Sequence, residues 1–67
     1  MKSLVRIYNL ANHADIIKIK SIVSNYEGIL ACEINLKKKE LHLVYDSLSV
    51  SIDEIINSIE NEGYMIN

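Results

Sequence analysis

Residues 9–15, Asn-Leu-Ala-Asn-His-Ala-Asp, contain the side chains of this sequence that are best suited by type and spacing to bind a metal ion. His13 offers an imidazole, Asp15 offers a carboxylate, and the amide of Asn12 lies beside them. These groups suit borderline ions such as Zn(II), Ni(II) and Co(II). Zinc in proteins takes four ligands, or three and a water molecule. The loop on its own therefore predicts a weak metal site at most, which two chains sharing their ligands would complete.

A structural role explains the same three residues. Asn12 is a preferred type of N-cap residue, and the carboxylate of Asp15 suits the positive end of the helix that follows. His13 is then a solvated loop histidine. We favour this interpretation over the metal site, and the residues alone leave both open.

The rest of the sequence argues against several classes of function. It has no Ser/His/Asp arrangement, no phosphate-binding glycine loop and no spaced carboxylate pair, so we expect no enzyme. Cys32 is the single cysteine, which excludes an intramolecular disulfide, and its position predicts a core residue. A net charge of −2 gives no support to nucleic-acid binding. No apolar run approaches the roughly 20 residues that span a bilayer, and we find no secretory signal. We therefore expect a cytoplasmic protein without direct membrane insertion.

Hydrophobic periodicity divides residues 1–67 into six elements of one domain. Alternating apolar runs predict four strands, over residues 3–10, 29–36, 41–46 and 64–67. Helical spacing predicts two helices, over residues 12–28 and 51–63. The order β-α-β-β-α-β predicts an α+β, ferredoxin-like sandwich, with a four-stranded antiparallel sheet and two helices on one face.

Local signals mark the helix ends. Ser51 and Glu54 form the pattern of a capping box at the start of the second helix. Gly28 is expected at or close to the end of the first helix, and Gly63 at the end of the second.

This topology places particular residues near one another. The loop of residues 9–15 should lie at the same end of the domain as the turn at 37–39 and the turn before the last strand, so Tyr64 should lie near the loop. The second face of the sheet is expected to be open to water or to a partner. Its predicted residues are Leu4, Arg6, Tyr8, Leu30, His42 and Val44. Their apolar members suggest a partner surface or a homodimer contact.

The sequence resembles the heavy-metal-associated domains, which include small copper chaperones and the N-terminal metal-binding domains of heavy-metal P-type ATPases. Four segments carry the resemblance. They are EGI at 27–29, CEINL at 32–36, LHLVYD at 41–46 and SIDEIINSIENEGY at 51–64. The family's loop motif is Gly-Met-x-Cys-x-x-Cys. Counting back from Gly28 without a gap places Asn12 and Asp15 on the two motif cysteines, Leu10 on the methionine and Asn9 on the glycine.

The resemblance implies a small domain of a metal-transport or metal-homeostasis system. Thiolates select Cu(I), and an amide and a carboxylate do not replace them. We therefore expect a non-catalytic docking or regulatory module without the thiolate site, and no cofactor. Its protein partner would be a transporter domain or a second copy, and Leu10 and Tyr64 are the suggested binding residues. The alternative is a chaperone-like domain of altered selectivity, which would hold Zn(II), Ni(II) or Co(II) through His13 and Asp15.

Overall fold

The computed structural model describes residues 1–66. It contains three strands and two helices, which are β1 (Lys2–Arg6), α1 (His13–Val23), β2 (Ile29–Asn35), β3 (Glu40–Tyr45) and α2 (Ile52–Asn61). Within the described residues, neither helix is long and apolar enough to cross a bilayer.

The three strands form one antiparallel sheet in the order β1-β3-β2. Val5 is paired with Leu41, and Cys32 is paired with Leu43. Because side chains alternate along a strand, every second residue faces the helices. The buried core combines residues from the sheet, both helices and the loops: Val5, Ile7, Leu10, Ile19, Val23, Leu41, Leu43, Tyr45, Val50, Ile55, Ile59 and Tyr64. The predicted α+β class and the packing of both helices against one side of the sheet are therefore confirmed.

The predicted fourth strand is wrong for the described residues. An isolated bridge between Ile7 and Ile66, and a bond of 2.9 Å from the amide of Tyr8 to the carbonyl of Met65, join the last segment to the chain beyond β1. The amide of Met65 donates to Oδ1 of Asn9 at 2.8 Å, and Nδ2 of Asn9 donates to the carbonyl of Gly63 at 3.0 Å. The side chain of Asn9 thus supplies two of the bonds that hold the last segment, and residues 63–66 form no fourth strand. Asn67, the last residue of the predicted strand, lies outside the described residues.

The capping box predicted for α2 is found at α1 instead. The complete capping box stands at α1, where Asn12 and Asp15 each bond the other's backbone amide. At α2, Ser51 is the N-cap as predicted, but its hydroxyl accepts from the amide of Asp53 at 3.3 Å. The amide at the second helical position is therefore capped, where the Ser51–Glu54 pattern predicted the third.

The two helix ends also differ from each other. Helix α1 ends at Val23, well before Gly28, so the prediction that Gly28 ends this helix is wrong. Gly28 instead has φ +87° in the turn that leads into β2. Its Cα lies so close to the β3–α2 loop that an added Cβ would be 2.7 Å from Cβ of Ser49. Gly63 directly follows the cap residue of α2 with φ +96°, as predicted.

The second face of the sheet is exposed, as expected. Leu4 and His42 are exposed and directly paired across β1 and β3. Leu30 is 71% exposed, because an irregularity between Ile29 and Ala31 turns it out of the core-facing alternation. Cys32 is half-buried and packs against the core, which agrees with its predicted position.

Candidate functional site

The carboxylate of Asp15 closes the loop between β1 and α1 on itself. Its Oδ2 accepts hydrogen bonds from the amides of Ala11 at 2.9 Å and Asn12 at 3.1 Å. The backbone amide of Asp15 in turn donates to Oδ1 of Asn12 at 3.3 Å. These amides lie at a helix N-terminus, where unpaired N–H groups favour negative charge. The bonds from Ala11, Tyr64 and Asn12 hold the pKa of Asp15 below its usual value.

Tyr64 supplies the third bond to the same carboxylate. Its hydroxyl donates to Oδ1 of Asp15 at 2.8 Å, which joins the residue after the α2 turn to the first turn of α1. The side chain is 8% exposed and belongs to the core. Burial, followed by the bond to Asp15, raises the pKa of Tyr64 to about 12. The phenol therefore remains protonated and donates at any physiological pH. The predicted proximity of Tyr64 to the loop is confirmed.

A lysine on α1 covers this pair. Nζ of Lys18 lies 5.8 Å from the centre of the Tyr64 ring and 3.8 Å from Oε1 of Glu62. An ammonium over an aromatic face is attracted by the ring. The same positive charge also contributes to the lowered pKa of Asp15. Lys18 thus ties α1 to the end of α2 beside the loop.

The other end of the loop is anchored by Asn9 and Leu10. The side chain of Asn9 bonds the chain on both sides of Tyr64, as described above. Leu10 is 1% exposed and packs into the core. Leu10 and Tyr64 therefore position the loop from inside, and their role as binding residues stays a prediction.

The turn between β2 and β3 meets the same end of the domain, as the topology predicted. Nζ of Lys39 donates to the carbonyl of Tyr8 at 3.1 Å, and the carbonyl of Lys39 accepts from the amide of Ile7 at 2.9 Å. This turn therefore braces the chain just before the loop.

His13 is the one predicted ligand that these contacts leave unused within residues 1–66. It is the first residue of α1 and is exposed. By contrast, Asn12 and Asp15 use their oxygens to satisfy backbone amides and Tyr64. Among the described residues, no three His, Cys, Asp or Glu side chains lie close enough together to hold a metal ion.

Topology predicts that the turn with Lys39 lies at this end, but the sequence gives no signal for the bonds that Asn9, Lys18 and Lys39 make. Asn9 stands at the position of a family glycine, and Lys18 has the spacing of an ordinary surface residue. The usual capping-box pattern has Ser or Thr at its first position and Glu or Gln at its fourth. A wider pattern that admits Asn at the first position and Asp at the fourth would have identified the pair of Asn12 and Asp15.

A family model decides the affiliation of the chain. The model of the heavy-metal-associated domain matches residues 16–65, which is more than half of the sequence. The chain belongs to the heavy-metal-associated domain family. The match begins at the residue directly after Asp15, so it includes both helices' core positions and leaves out the loop of residues 9–15.

Related proteins of this heavy-metal-associated domain include a "Copper chaperone CopZ" from Staphylococcus aureus (strain bovine RF122 / ET3-1). It is 28% identical over 46 residues, which cover 69% of this chain and 68% of the relative. The fold matches a solved "CopZ metallochaperone" with a TM-score of 0.93 and 18% identity over the full length of both chains. It also matches a copper-binding domain from a P-type ATPase with a TM-score of 0.88 and 20% identity, covering 98% of this chain and 89% of that one.

The donor set of the loop does not fit Cu(I) as a cargo ion. Cu(I) selects soft thiolate ligands, and residues 9–15 contain none. Cys32 lies in the middle of β2, opposite Leu43. Burial raises the pKa of its thiol, so the thiolate needed for metal binding is disfavoured there. Neither the loop nor Cys32 of this heavy-metal-associated domain therefore offers a favourable thiolate ligand.

Proposed function

We propose that this chain is a non-catalytic docking or regulatory module of a metal-transport or metal-homeostasis system, and that it acts in the cytoplasm without a thiolate metal site of its own. Membership of the family and its relation to copper chaperones and transporter domains support a place in metal handling. The loop chemistry supports the narrower statement that the module does not carry the metal itself.

The observation that carries the proposal is the hydrogen bonding of Asp15. Both oxygens of its carboxylate already accept, one from two backbone amides and the other from Tyr64. Only one lone pair of Oδ1 therefore remains for an ion, and coordination through Oδ2 would displace an amide at the helix start, which costs free energy. Among the described residues, no group of three His, Cys, Asp or Glu side chains could complete the ligand set. The hydrogen bonds of Asp15 hold this loop in shape. In a metal-binding loop, the bonds between the ligands and the ion would do so.

A protein partner follows from the same reasoning. A domain that retains the scaffold but does not carry the ion contributes to metal handling through contact with another protein. Its partner would be a transporter domain or a second copy of the chain. In this account Leu10 and Tyr64 act by holding the loop in one conformation for that contact.

Titration with divalent ions tests the proposal against its alternative. The reduced protein would be titrated with Zn(II), Ni(II) and Co(II), and the amide and imidazole NMR signals of residues 9–15 would be followed. We expect only weak, rapidly exchanging shifts at His13, because one imidazole provides one ligand where zinc needs at least three. His13→Ala should remove these shifts.

The alternative domain, with altered selectivity through His13 and Asp15, predicts a different result. It requires a stoichiometric complex per chain or per dimer that survives a chelator and is lost in both His13→Ala and Asp15→Ala. His42→Ala, which removes the second histidine of the sequence, exposed on β3, serves as the matched control.

A further inference from the structure

The exposed face of the sheet is ordered into rows that run across the three strands. Register places Lys2 opposite Val44 and Val44 opposite Ala31. The next row contains Leu4, His42 and Glu33, and the third contains Arg6, Glu40 and Asn35. Since β3 is the central strand, β1 and β2 form the two edges of this face.

The two edges carry opposite charge. The β1 edge presents Lys2 and Arg6, and the β2 edge presents Glu33. Arg6 is already paired with Glu40 at 3.1 Å, and Glu40 also contacts Nε2 of His42 at 3.2 Å. The ion pairs within residues 1–66 include neither Lys2 nor Glu33. The face therefore has one available cation at one edge and one available anion at the other.

The area between these charges is mostly apolar and forms a shallow depression of about 430 Å³. Leu4, Ala31 and Val44 line it together with His42 at its centre, and Lys2 and Glu33 lie on its sides. Leu4 is 56% exposed, and Leu30 projects beside the depression at the β2 edge. Apolar side chains grouped on one exposed face are typical of an interaction surface.

We propose that this face binds the same face of a second copy of the chain. A two-fold axis parallel to the strands and passing over β3 places the β1 edge of each copy over the β2 edge of the other. This axis keeps each row over the same row of the other copy, so Lys2 faces Ala31 and lies one row away from Glu33. The long side chain of Lys2 reaches Glu33 of the other copy diagonally, twice in each dimer. A two-fold axis perpendicular to the strands would instead stack the basic edge on itself. The edge charges thus favour a second copy in this orientation, in the manner of two sheets packed about 10 Å apart. On the central strand the axis places Glu40 over its own copy, and Arg6 of the same chain offsets the charge of each Glu40.

The dimensions of the face make this a weak dimer. Three strands about 4.8 Å apart and five to seven residues long give a face of roughly 15 Å by 20 Å. This area is well below the roughly 800 Å² that each partner buries in a stable interface. The dimer therefore belongs to the transient class, and we expect a dissociation constant on the order of 0.1 mM.

This inference goes beyond the proposed function, because it concerns the sheet face and not the loop. Its failure would leave the account of Asp15 unchanged, and metal binding at the loop would leave the sheet face unchanged. All association measurements are therefore made on reduced protein in the presence of a chelator, which excludes dimers bridged by a metal ion.

Sedimentation equilibrium with complementary charge reversals tests the proposal. The unsubstituted chain should approach twice its monomer mass as the concentration rises to about 1 mM at low salt. Lys2→Glu alone and Glu33→Lys alone should each weaken association about tenfold, because each homodimer then contains two repulsive contacts. An equimolar mixture of the two variants should restore association, with the heterodimer identified by its mass in native mass spectrometry.

Lys37→Glu and Glu60→Lys are the matched controls, since both residues are exposed and lie off this face. Neither they nor their mixture should change association, and circular dichroism checks that every variant is folded. A chain that remains monomeric over the whole range would overturn the proposal. A dimer that is insensitive to the reversals, or that the mixture does not restore, would also overturn it.

Discussion

The hydroxyl of Tyr64 and the carboxylate of Asp15 form a hydrogen bond of 2.8 Å between residues 49 positions apart in the sequence. This bond joins the end of α2 to the start of α1, and it completes the bonding of a carboxylate that also caps two amides of the loop. One polar pair thus helps to fix the shape of the loop between β1 and α1.

Removal of the Tyr64 hydroxyl should destabilise the domain. Tyr64→Phe keeps the buried ring but removes the donor to Asp15, and we expect the free energy of unfolding to fall by about 1 kcal/mol. Urea denaturation measures the change. Tyr8→Phe is the control, because Tyr8 is 48% exposed and the structure shows no bond from its hydroxyl within the described residues. Equal effects of the two substitutions would contradict the role given to Tyr64.

The stability of the domain should depend on pH through the titration of both Tyr64 and Asp15. The pKa of Tyr64 is about 12 in the folded chain, against an ordinary value of about 10. A raised pKa means that the folded state holds the proton more tightly. The contribution of Tyr64 is therefore complete below about pH 10 and is lost as the pH rises through 12. The pKa of Asp15 is lowered, so its contribution is complete above its usual value and is lost as the pH falls below it.

Ultraviolet absorbance of tyrosinate measures the first of these titrations, and comparison with Tyr64→Phe assigns it among the four tyrosines. In Asp15→Asn, the pKa of Tyr64 should fall but stay above its ordinary value, since burial remains its largest cause. An unchanged pKa of Tyr64 in Asp15→Asn would show that the pair is not coupled.

The two glycines should respond differently to alanine. Both have positive φ, which costs a residue with a Cβ on the order of 1 kcal/mol. An added Cβ at Gly63 meets nothing within 4 Å, so Gly63→Ala should show only this cost. At Gly28 the new Cβ would lie 2.7 Å from Cβ of Ser49, so Gly28→Ala should cost about 2–4 kcal/mol. Similar losses in thermal or urea unfolding would contradict the close contact at Gly28.

Much of the fold could be predicted because its signals are local. Alternation in residues 41–45 predicts which side chains of β3 face the helices, and the spacing of Ile52, Ile55, Ile56 and Ile59 predicts the buried face of α2. The last segment could not be predicted in the same way. Residues 63–66 are held by contacts with residues 7–9, more than 50 positions away, and no local pattern contains those contacts.

For the loop of residues 9–15, the sequence predicted the location in the fold and not the hydrogen bonds. Topology predicted that Tyr64 would lie near the loop, and the family alignment drew attention to Asn12 and Asp15. The bonds of these residues could not be predicted, because the same local sequence suits a carboxylate that ligates a metal, serves a helix dipole or accepts amides. The bonds from Asp15 to Ala11, Asn12 and Tyr64 depend on the folded arrangement of three segments.

A competition experiment with Cu(I) tests the central claim most directly. The reduced protein would be mixed with Cu(I) held by a coloured chelator, alongside the double variant Asn12→Cys with Asp15→Cys, which supplies two thiolates at the aligned positions. The account predicts that the unsubstituted chain leaves the Cu(I) on the chelator, whereas the double variant withdraws about one Cu(I) per chain because thiolates select this ion. Withdrawal of stoichiometric Cu(I) by the unsubstituted chain would contradict the claim that its loop has lost the metal site.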